Sequence, residues 1–414
     1  MSFLKKMSVL ALSAAAAVTF VSPEFAKAEG FALQDWSSRG ASLAGGLVAR
    51  GGDAASVSYN PAAITELEGT QILFGGEYIH PINTVVGTGG QSKHSETKQY
   101  FAPHGYITHK VNDSISVGFG AFSRFGLGND YGSSFFVPNS VYDVELITFT
   151  VSPVIAWRVN DKLSLGFGLE LAYGDVDFNQ NVKKTLANGL PVDTTLSMTG
   201  DAWSPAFNLS VHYRFNEQWK AGFVYRSHND FDFDGELSTA HPLFAGRKFS
   251  GSAMLYTPDS YTLALAYYPM PELSFEAQVQ YNTWSRYSNL TINVPSSPFP
   301  GLNKIEQKKD WRDTWFFSLS AEYQALDWLT LRGGVSYETS PVKEAYADFI
   351  APAHGRWKYG AGLGFQYDNW TLDVAYVYHD ILELRYNHSA YAPVADHIDD
   401  AHAHTCSFSI GYKF

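Results

Sequence analysis

The sequence predicts an all-β protein, a transmembrane antiparallel β-barrel of about 14 strands with an N-terminal hatch inside it. Three observations support this prediction. Many segments alternate apolar and polar residues with a period of two, the first residues have the pattern of a secretory signal peptide, and the chain ends on an aromatic residue, Phe414. A period of two is the pattern of strands and not of helices.

Residues 1–28 are expected to be a signal peptide. Lys5 and Lys6 precede an apolar run, and Ala26-Lys27-Ala28 provides the small residues of a cleavage site. The later sequence contains no apolar run approaching the 18 or so residues that a spanning helix requires. An exported chain with one-sided apolar strands therefore fits a closed barrel in the bacterial outer membrane, where the barrel satisfies every backbone amide.

Residues 29–67 are expected to form the hatch inside the barrel. This segment is rich in Gly, Ala and Ser and lacks strand alternation. Its apolar residues, which include Phe31, Leu33 and Trp36, are too numerous for a solvated linker. A disordered periplasmic tail is the alternative interpretation.

Residues 68–414 are expected to form the barrel. Between Leu163 and Leu171 every second residue is apolar, and the residues between them are Ser, Gly or Glu. A soluble sandwich also alternates, but acidic residues on the polar face fit a water-filled lumen better, because an unpaired carboxylate in a packed core is costly. Short polar turns separate hairpins, and counting the hairpins gives about 14 strands, an even number as expected for bacterial barrels.

Composition and charge agree with this interpretation. Hydrophobic residues make up 45% of the chain, which includes 25 Tyr and 29 Phe, as expected for a wall with aromatic girdles. The formal net charge of -12 argues against nucleic-acid binding. The single cysteine, Cys406, excludes an internal disulfide and a cysteine-based metal site.

The C-terminal strand indicates a further partner. Phe414 shares a face with Phe408, Ile410 and Tyr412, and a terminal aromatic of this kind resembles the signal read by the outer-membrane assembly machinery. The other expected partners are outer-membrane lipid and lipopolysaccharide, with the protein itself a monomer.

Several ordered blocks resemble the FadL/TodX family of outer-membrane hydrophobic-compound transporters. The hatch carries Ser37-Ser38-Arg39-Gly40 and then the motif Asn60, Pro61, Ala62. The barrel carries Leu255–Tyr261, Tyr281–Tyr287, Lys309–Thr314 and Leu331–Val342. The resemblance covers essentially the whole mature chain.

The resemblance implies a 14-stranded barrel closed by a hatch, and a channel instead of an enzyme. It implies passive uptake of long-chain fatty acids or of aromatic or aliphatic hydrocarbons. In such proteins the ligand is captured by extracellular loops, moves to a lumenal pocket beside the hatch N-terminus, and leaves sideways where the third strand kinks inward.

The candidate ligand-binding residues are hatch residues, loop aromatics and two basic groups near a strand mouth. They are Phe31, Leu33, Trp36, Phe135, Phe136, Phe244, Phe299, Lys308 and Arg312. Each aromatic has ordinary packing as its alternative role. The stretch 173–180 is acidic to neutral where fatty-acid carriers of the family place basic groups, so a neutral hydrocarbon is an open alternative to a fatty acid.

A set of charged residues alternates onto the polar face of the strands. We expect a lumenal charge network in which arginines pair with carboxylates, formed by Glu170, Arg226, Glu276, Glu322, Arg332 and Glu338. A basic anchor for a ligand is the alternative role of these arginines.

No catalytic residue and no cofactor are expected. Gly40-Ala41-Ser42-Leu43-Ala44 lacks the strand-turn-helix setting of a nucleophile elbow. The final loop, predicted over 387–401, and the residues just after it carry His397, His402 and His404, a weak candidate for Zn or Cu, with a solvated loop as the alternative. The competing functions are a general diffusion porin, an outer-membrane lipolytic enzyme, and a surface adhesin or phage receptor.

Overall fold

The computed structural model describes residues 30–96, 98–185, 191–242, 244, 246–295, 297, 303–351, 354–386 and 389–414. The predicted signal peptide and Phe299 lie outside these described residues. Within the described ranges, none of the helices is long and apolar enough to cross a bilayer.

The described residues form 21 strands in one sheet. The strands are β1 (Thr70–Gly87), β2 (Ser92–His94), β3 (Tyr100–Lys110), β4 (Ile115–Phe122), β5 (Gly126–Asp130), β6 (Val141–Arg158), β7 (Leu163–Thr185), β8 (Pro191–Arg214), β9 (Trp219–Arg226), β10 (Asp230–Thr239), β11 (Lys248–Tyr256), β12 (Ser260–Met270), β13 (Leu273–Asn282), β14 (Asn289–Asn293), β15 (Lys304–Lys308), β16 (Thr314–Leu326), β17 (Leu329–Glu338), β18 (Arg356–Tyr367), β19 (Trp370–Ile381), β20 (Leu384–Arg385) and β21 (Ala395–Lys413). Two single-turn 3₁₀ helices, Trp284–Arg286 and Glu344–Tyr346, lie in the connections.

These strands form a closed antiparallel barrel whose wall has 14 members. Seven wall members are interrupted and consist of two consecutive strands each: β2 with β3, β4 with β5, β9 with β10, β11 with β12, β13 with β14, β15 with β16, and β19 with β20. The barrel closes because β1 pairs with β3 on one side and with β21 on the other, from Gln71 opposite Lys413 to Gly87 opposite Ala395. The predicted fold class is confirmed.

The barrel wall exposes its apolar residues and buries its polar ones. In β7 the side chains of Leu165, Leu169 and Leu171 are exposed, whereas Ser164 and Glu170 are buried. A soluble protein has the reverse arrangement, so the outer surface fits acyl chains as its solvent. Aromatic side chains flank this band near the short turns, where Trp219 stacks on Tyr267 and Trp370 packs on Tyr412.

The N-terminal segment, defined here as residues 30–67, lies within the ring of strands. It contains two short helices, α1 (Ser38–Ser42) and α2 (Ser56–Tyr59), and the 3₁₀ helix η1 (Pro61–Glu66). Helix α1 contacts β17, β18, β19 and β21, while η1 contacts β4, β6, β7 and β8 on the other side. The segment thus touches most of the inner circumference.

Small wall residues allow the backbone of the N-terminal segment to approach the strands closely. A Cβ atom on Gly166 would lie 2.5 Å from the amide nitrogen of Ala62, and one on Gly222 would lie 2.3 Å from the carbonyl oxygen of Val48. Both distances are too short for any side chain, so glycine is required at these two positions.

Helix α1 also bonds directly to the last strand. The backbone nitrogen of Ser38 donates to Ser409 Oγ (3.1 Å), and the Ser38 and Ser407 hydroxyls lie 2.7 Å apart. Helix α1 is therefore fixed to the strand that closes the barrel.

We expect Leu169→Arg to destabilise the folded barrel. The Leu169 side chain is 56% exposed on the outer face of β7, in the same apolar row as Leu165 and Leu171. A cation there costs about 2 to 4 kcal/mol of unfolding free energy near the bilayer midplane. Urea unfolding in lipid vesicles, followed by tryptophan fluorescence, measures the loss. Glu217→Arg, in an exposed turn, is the matched control, and equal stabilities of the two variants would contradict the assigned outer face.

Candidate functional site

The third wall member of the barrel is broken between Phe122 and Gly126. Below the break, β4 pairs with β3 from Gly105 opposite Ala121 onward. Above the break, β5 pairs with β6 alone among the described strands. The upper part of β3, Tyr100–His104, therefore faces β5 without a strand ladder between them, which leaves a gap in the wall.

Residues 31–33 of the N-terminal segment occupy the inner side of this break. Ala32 forms an isolated antiparallel bridge with Phe125. The nitrogen of Leu33 donates to the Arg124 carbonyl (2.8 Å), and the nitrogen of Gly126 donates to the Phe31 carbonyl (3.0 Å). At the break, hydrogen bonds to the N-terminal segment thus replace part of the ladder that the strand would form with its neighbour in the wall.

A cavity of about 350 Å³ lies at this break. Its apolar walls come from residues 31–33, from β1 and β3, and from the break itself: Phe31, Leu33, Ile79, Pro81, Ile82, Ala102, Phe125, Leu127 and Leu146. The lining also includes Phe101, Ile147 and Phe149, whose side chains are exposed on the membrane side of the wall. The cavity therefore extends from the lumen to the lipid-facing surface, and its size suits a small organic ligand.

A second, smaller cavity of about 60 Å³ adjoins the first. Phe31, Leu127 and Leu146 line both cavities. The remaining lining is apolar apart from one tyrosine, Tyr287. Phe31 lies between them, with its ring centroid 4.8 Å from that of Trp284 and 5.8 Å from that of Trp311. Aromatic rings thus form the boundary between the two cavities.

One side of the larger cavity is polar. Asp35, Glu77, His354, Arg356, His379 and Thr405 contribute to its lining. The side chain of Arg356 donates to Glu338 Oε2 at 2.6 Å, and the Lys358 ammonium lies 3.4 Å from Asp35 and 3.5 Å from Glu338. Cations beside this wall are therefore already paired with carboxylates.

A charge cluster fixes Arg39 of helix α1 to the wall. The guanidinium bonds to both oxygens of Glu322 at 2.8 Å and to Asp53 at 3.0 Å. Glu322 also accepts a bond from Arg332, which pairs in turn with Asp373. Burial alone would lower the pKa of Arg39, but Glu322 and then Asp53 outweigh it and hold the pKa well above its ordinary value. Arg39 is thus a permanent cation.

Glu276 binds the backbone of the N-terminal segment. Its two carboxylate oxygens accept the amide N–H groups of Val48 (2.9 Å) and Arg50 (2.6 Å). The Arg50 side chain extends to Ser274 and Ser320 on the neighbouring strands. In a helix or sheet these two amide groups would donate to backbone carbonyls, and here they donate to a lumenal carboxylate instead.

A third cluster lies beneath the break. Glu170 is completely buried and receives Arg124 (2.8 Å), Arg226 and Asn208 (2.8 Å). Arg226 also donates to the Ser58 carbonyl at the end of helix α2. Two cations around one carboxylate leave this cluster with a net positive charge.

The Asn60-Pro61-Ala62 motif fastens the end of the N-terminal segment. The Asn60 side-chain amide donates to the carbonyls of Val48 (2.7 Å) and Val211 (3.1 Å), while its oxygen accepts the Ala62 N–H at 3.1 Å. Pro61 occupies the first position of η1, where a missing N–H costs nothing. Asn60 therefore caps η1, bonds to Val48 within the N-terminal segment and bonds to Val211 in the wall.

Glu66, the last residue of η1, forms a further ionic contact with the wall. Its carboxylate lies 2.6 Å from Lys220 and 3.1 Å from Arg214. Burial alone would raise the pKa of Glu66, but the neighbouring His212 and Lys220 outweigh it, so that the pKa is lowered.

The structure places the predicted ligand residues in different surroundings. Phe31 and Leu33 line the cavity at the break. The other predicted ligand residues that the structure describes lie outside the lining of both cavities. Among the aromatic ones, Trp36 packs on Tyr59 and Phe122, Phe135 and Phe136 pack on each other, and Phe244 packs near Phe249. Of the two basic residues, Lys308 lies over the Tyr346 ring and Arg312 donates to the Val342 carbonyl.

The residues of the predicted charge network all point into the lumen and are buried or nearly so. Arg226 pairs with Glu170, and Arg332 pairs with Glu322. Glu338 pairs with Arg356 and Lys358, and Glu276 accepts backbone amides. Sequence reasoning missed the partners Arg39, Arg50 and Arg124, because these residues lie outside the regular strand alternation.

The predicted final loop requires a correction. Residues 395–401 were predicted to lie in that loop. They belong instead to β21, whose ladder with β1 extends as far as Ala395. His402 and His404 point outward beside Tyr378, and His397 bonds to Asp396 at 3.1 Å. Among the residues that the structure describes, no group of three His, Cys, Asp or Glu side chains is arranged to hold a metal.

Lining residues of the cavity such as Phe125, Leu127 and Leu146 were also missed. The available signal was the loss of alternation at Ser123-Arg124-Phe125, followed by two glycines around Leu127. An interrupted strand next to otherwise regular ones marks a place where the chain bends.

A closed barrel with an apolar outer face is the architecture of a bacterial outer-membrane protein, and the cavity at its break suits a small apolar ligand. The sequence matches, over residues 18–414, the family described as outer membrane protein transport protein (OMPP1/FadL/TodX). The chain belongs to this family, resides in the bacterial outer membrane, and shares the family's role as a transporter and not an enzyme.

Relatives and solved structures agree with this assignment. The long-chain fatty acid transport protein of an Escherichia coli strain is 24% identical over 403 residues, covering 88% of this chain and 89% of the relative. The crystal structure of a Pseudomonas aeruginosa FadL homologue has a TM-score of 0.82 at 18% identity, covering 93% of this chain and all of that one. The P. putida toluene transporter TodX has a TM-score of 0.75 at 17% identity, covering 92% and 99%. The structural similarity shows the shared fold.

We expect Asn60→Ala to loosen the N-terminal segment. The substitution removes two side-chain bonds to carbonyls, worth about 1 to 3 kcal/mol together. The expected result is a raised ion conductance of the full-length protein in planar bilayers. Asn369→Ala, in an exposed turn, is the control, and equal conductance of Asn60→Ala and wild type would show that this motif does not hold the segment.

The contact at Glu66 should fail only at acidic pH. Because the pKa of Glu66 is lowered in the folded protein, its stabilisation is present above the unfolded value of about 4.3 and is lost as the pH falls through the lower folded value. Conductance recorded from pH 7 to pH 3 should therefore stay low at pH 5 and rise below pH 4.

Glu66→Gln should conduct more than wild type already at pH 7 and change less between pH 5 and pH 3. The control is Glu68→Gln, which removes an exposed carboxylate two residues away. Identical pH profiles for Glu66→Gln and Glu68→Gln would contradict the role given to Glu66.

Proposed function

We propose that this protein takes up hydrophobic compounds passively across the outer membrane and delivers them sideways into the bilayer. The observation that carries the proposal is the cavity beside Phe31, which adjoins the lumen at one end and the lipid-facing side chains Phe101, Ile147 and Phe149 at the other. Its substrates are long-chain fatty acids or aromatic or aliphatic hydrocarbons, as for the Escherichia coli relative and the P. putida toluene transporter.

The route begins at the extracellular side. An apolar cluster that includes Phe178, Leu196, Leu237 and Ile292 adjoins the smaller cavity, which Phe178 and Ile292 also line, and Phe244 and Phe249 pack against the cluster. A ligand captured there passes the small cavity and then the rings around Phe31. Movement of the N-terminal segment opens the larger cavity, and the ligand leaves between β3 and β5.

The physical advantage of this route is continuous apolar contact. Exposing a chain of about 15 methylenes to water costs on the order of 10 kcal/mol, at about 0.8 kcal/mol for each methylene. Two small cavities in series keep the ligand covered while neither binds it so tightly that release becomes slow. The filled lumen argues against a general diffusion porin, because the N-terminal segment contacts strands on both sides of the barrel.

Uptake by a strain that lacks its own transporter of this kind tests the proposal. Cells expressing the protein should accumulate radiolabelled toluene or oleate faster than cells that do not. Ala102→Trp, which fills the cavity from β3, should lower this uptake about fivefold or more. Ala361→Trp, on the outer face of β18, is the matched control. Equal uptake by both variants would refute the route.

A further inference from the structure

The polar side of the larger cavity contains two buried polar atoms that lack a partner. Glu77 Oε1 and His379 Nδ1 have no hydrogen-bond partner within the part of the chain that the structure describes. Glu77 is 3% exposed and His379 is 6% exposed, and both residues line the cavity. The other ring nitrogen of His379 lies 3.1 Å from Thr405 Oγ1. Buried polar atoms are normally satisfied, so these two indicate that a ligand or solvent group belongs there.

The charges around these atoms disfavour an anionic ligand. Three carboxylates, Asp35, Glu77 and Glu338, lie at or beside this wall, against the two cations Arg356 and Lys358. Both cations are engaged by Glu338 or Asp35. A ligand carboxylate would add a fourth negative charge and would meet no cation that is not already paired.

The route to this wall disfavours a cationic ligand as well. An ammonium group would have to pass the boundary formed by Phe31, Leu127 and Leu146, where the lining of the smaller cavity offers the single hydroxyl of Tyr287. Stripping water from a full charge there is far more costly than stripping it from a neutral polar group.

A hydroxyl group fits the remaining requirements. It donates one hydrogen bond and accepts others, so it complements a carboxyl oxygen and an imidazole nitrogen whichever of them carries a proton. The apolar wall opposite, which includes Phe31, Ile79 and Phe125, accommodates a hydrocarbon skeleton.

We propose that this cavity selects neutral compounds that carry a hydroxyl group on an apolar skeleton, namely phenols and alcohols, over both carboxylates and unsubstituted hydrocarbons. Glu77 and His379 are the specificity-determining residues that bind the hydroxyl. This inference rests on the proposed function, because it names the substrate class of the same transport route.

Three probes that share a methylphenyl skeleton test the inference: toluene, 4-methylphenol and 4-methylbenzoate. Binding to the full-length protein in lipid nanodiscs is followed by the fluorescence of Trp284 and Trp311, which pack against Phe31. We expect 4-methylphenol to bind with a Kd about tenfold lower than either of the other two probes, since only its hydroxyl satisfies the buried polar atoms.

Substitutions at the polar wall assign the effect. Glu77→Leu and His379→Leu should each remove most of the preference for 4-methylphenol over toluene, measured as the ratio of the two Kd values within each variant. Glu77→Gln, whose amide still donates and accepts, should retain part of the preference even if Glu77→Leu folds poorly. Glu272→Leu, in an exposed turn, is the control and should behave as wild type.

The outcomes separate this inference from the function on which it rests. If neither oleate nor any of the three probes binds saturably, the proposed function itself fails. If toluene binds but 4-methylphenol binds no better, or if 4-methylbenzoate binds best, the transport route stands and the inference is overturned. A preference for 4-methylphenol that survives in both Glu77→Leu and His379→Leu overturns the assignment of the residues.

Discussion

The pairing of lumenal charges with the N-terminal segment is the interaction on which the rest of this structure depends. A barrel in lipid turns its polar residues inward, and here the interior is occupied by protein instead of bulk water. Glu322, Glu276 and Glu170 therefore need partners in a confined space, and Arg39, the amides of Val48 and Arg50, and the pair Arg124 and Arg226 supply them. Removing the segment would take Arg39 from Glu322 and the two amide donors from Glu276, whereas Glu170 would keep its wall partners Arg124 and Arg226. The contacts at Glu322 and Glu276 explain why a stretch with two helices of five residues or fewer is held in a defined conformation.

The break in the third wall member follows from the same arrangement. Where the wall strand gives up part of its ladder, residues 31–33 of the segment satisfy the carbonyl of Arg124 and the amide of Gly126. The segment thus closes the lumen and completes the wall with one stretch of backbone. A movement of residues 31–33 changes the shape of the cavity and the bonding of the break together, so the two cannot be separated mechanically.

The alternation of residues predicted much of the fold because each strand meets the same two environments along its length. In this way Leu165 and Glu170 were assigned to opposite faces, and the barrel and its strand number followed. The cavity could not be predicted in the same way. Phe125 lies in the break and Leu146 on β6, and they line one space only because a ladder is missing, which is a property of the assembled wall. One partner of Glu322 was missed for a related reason, since Arg39 lies in a segment without periodicity.

The hydrogen bonds between Ser38 and the final strand have a consequence for biogenesis. β21 follows all the other strands in the chain, yet it joins β1 at the seam and receives helix α1 at Ser407 and Ser409. Closure of the barrel and docking of the N-terminal segment therefore depend on contacts at the same strand. The N-terminal segment and β21 must both reach that seam before insertion is complete. A chain truncated at its carboxyl end therefore loses the closure of the barrel and the docking of the N-terminal segment together.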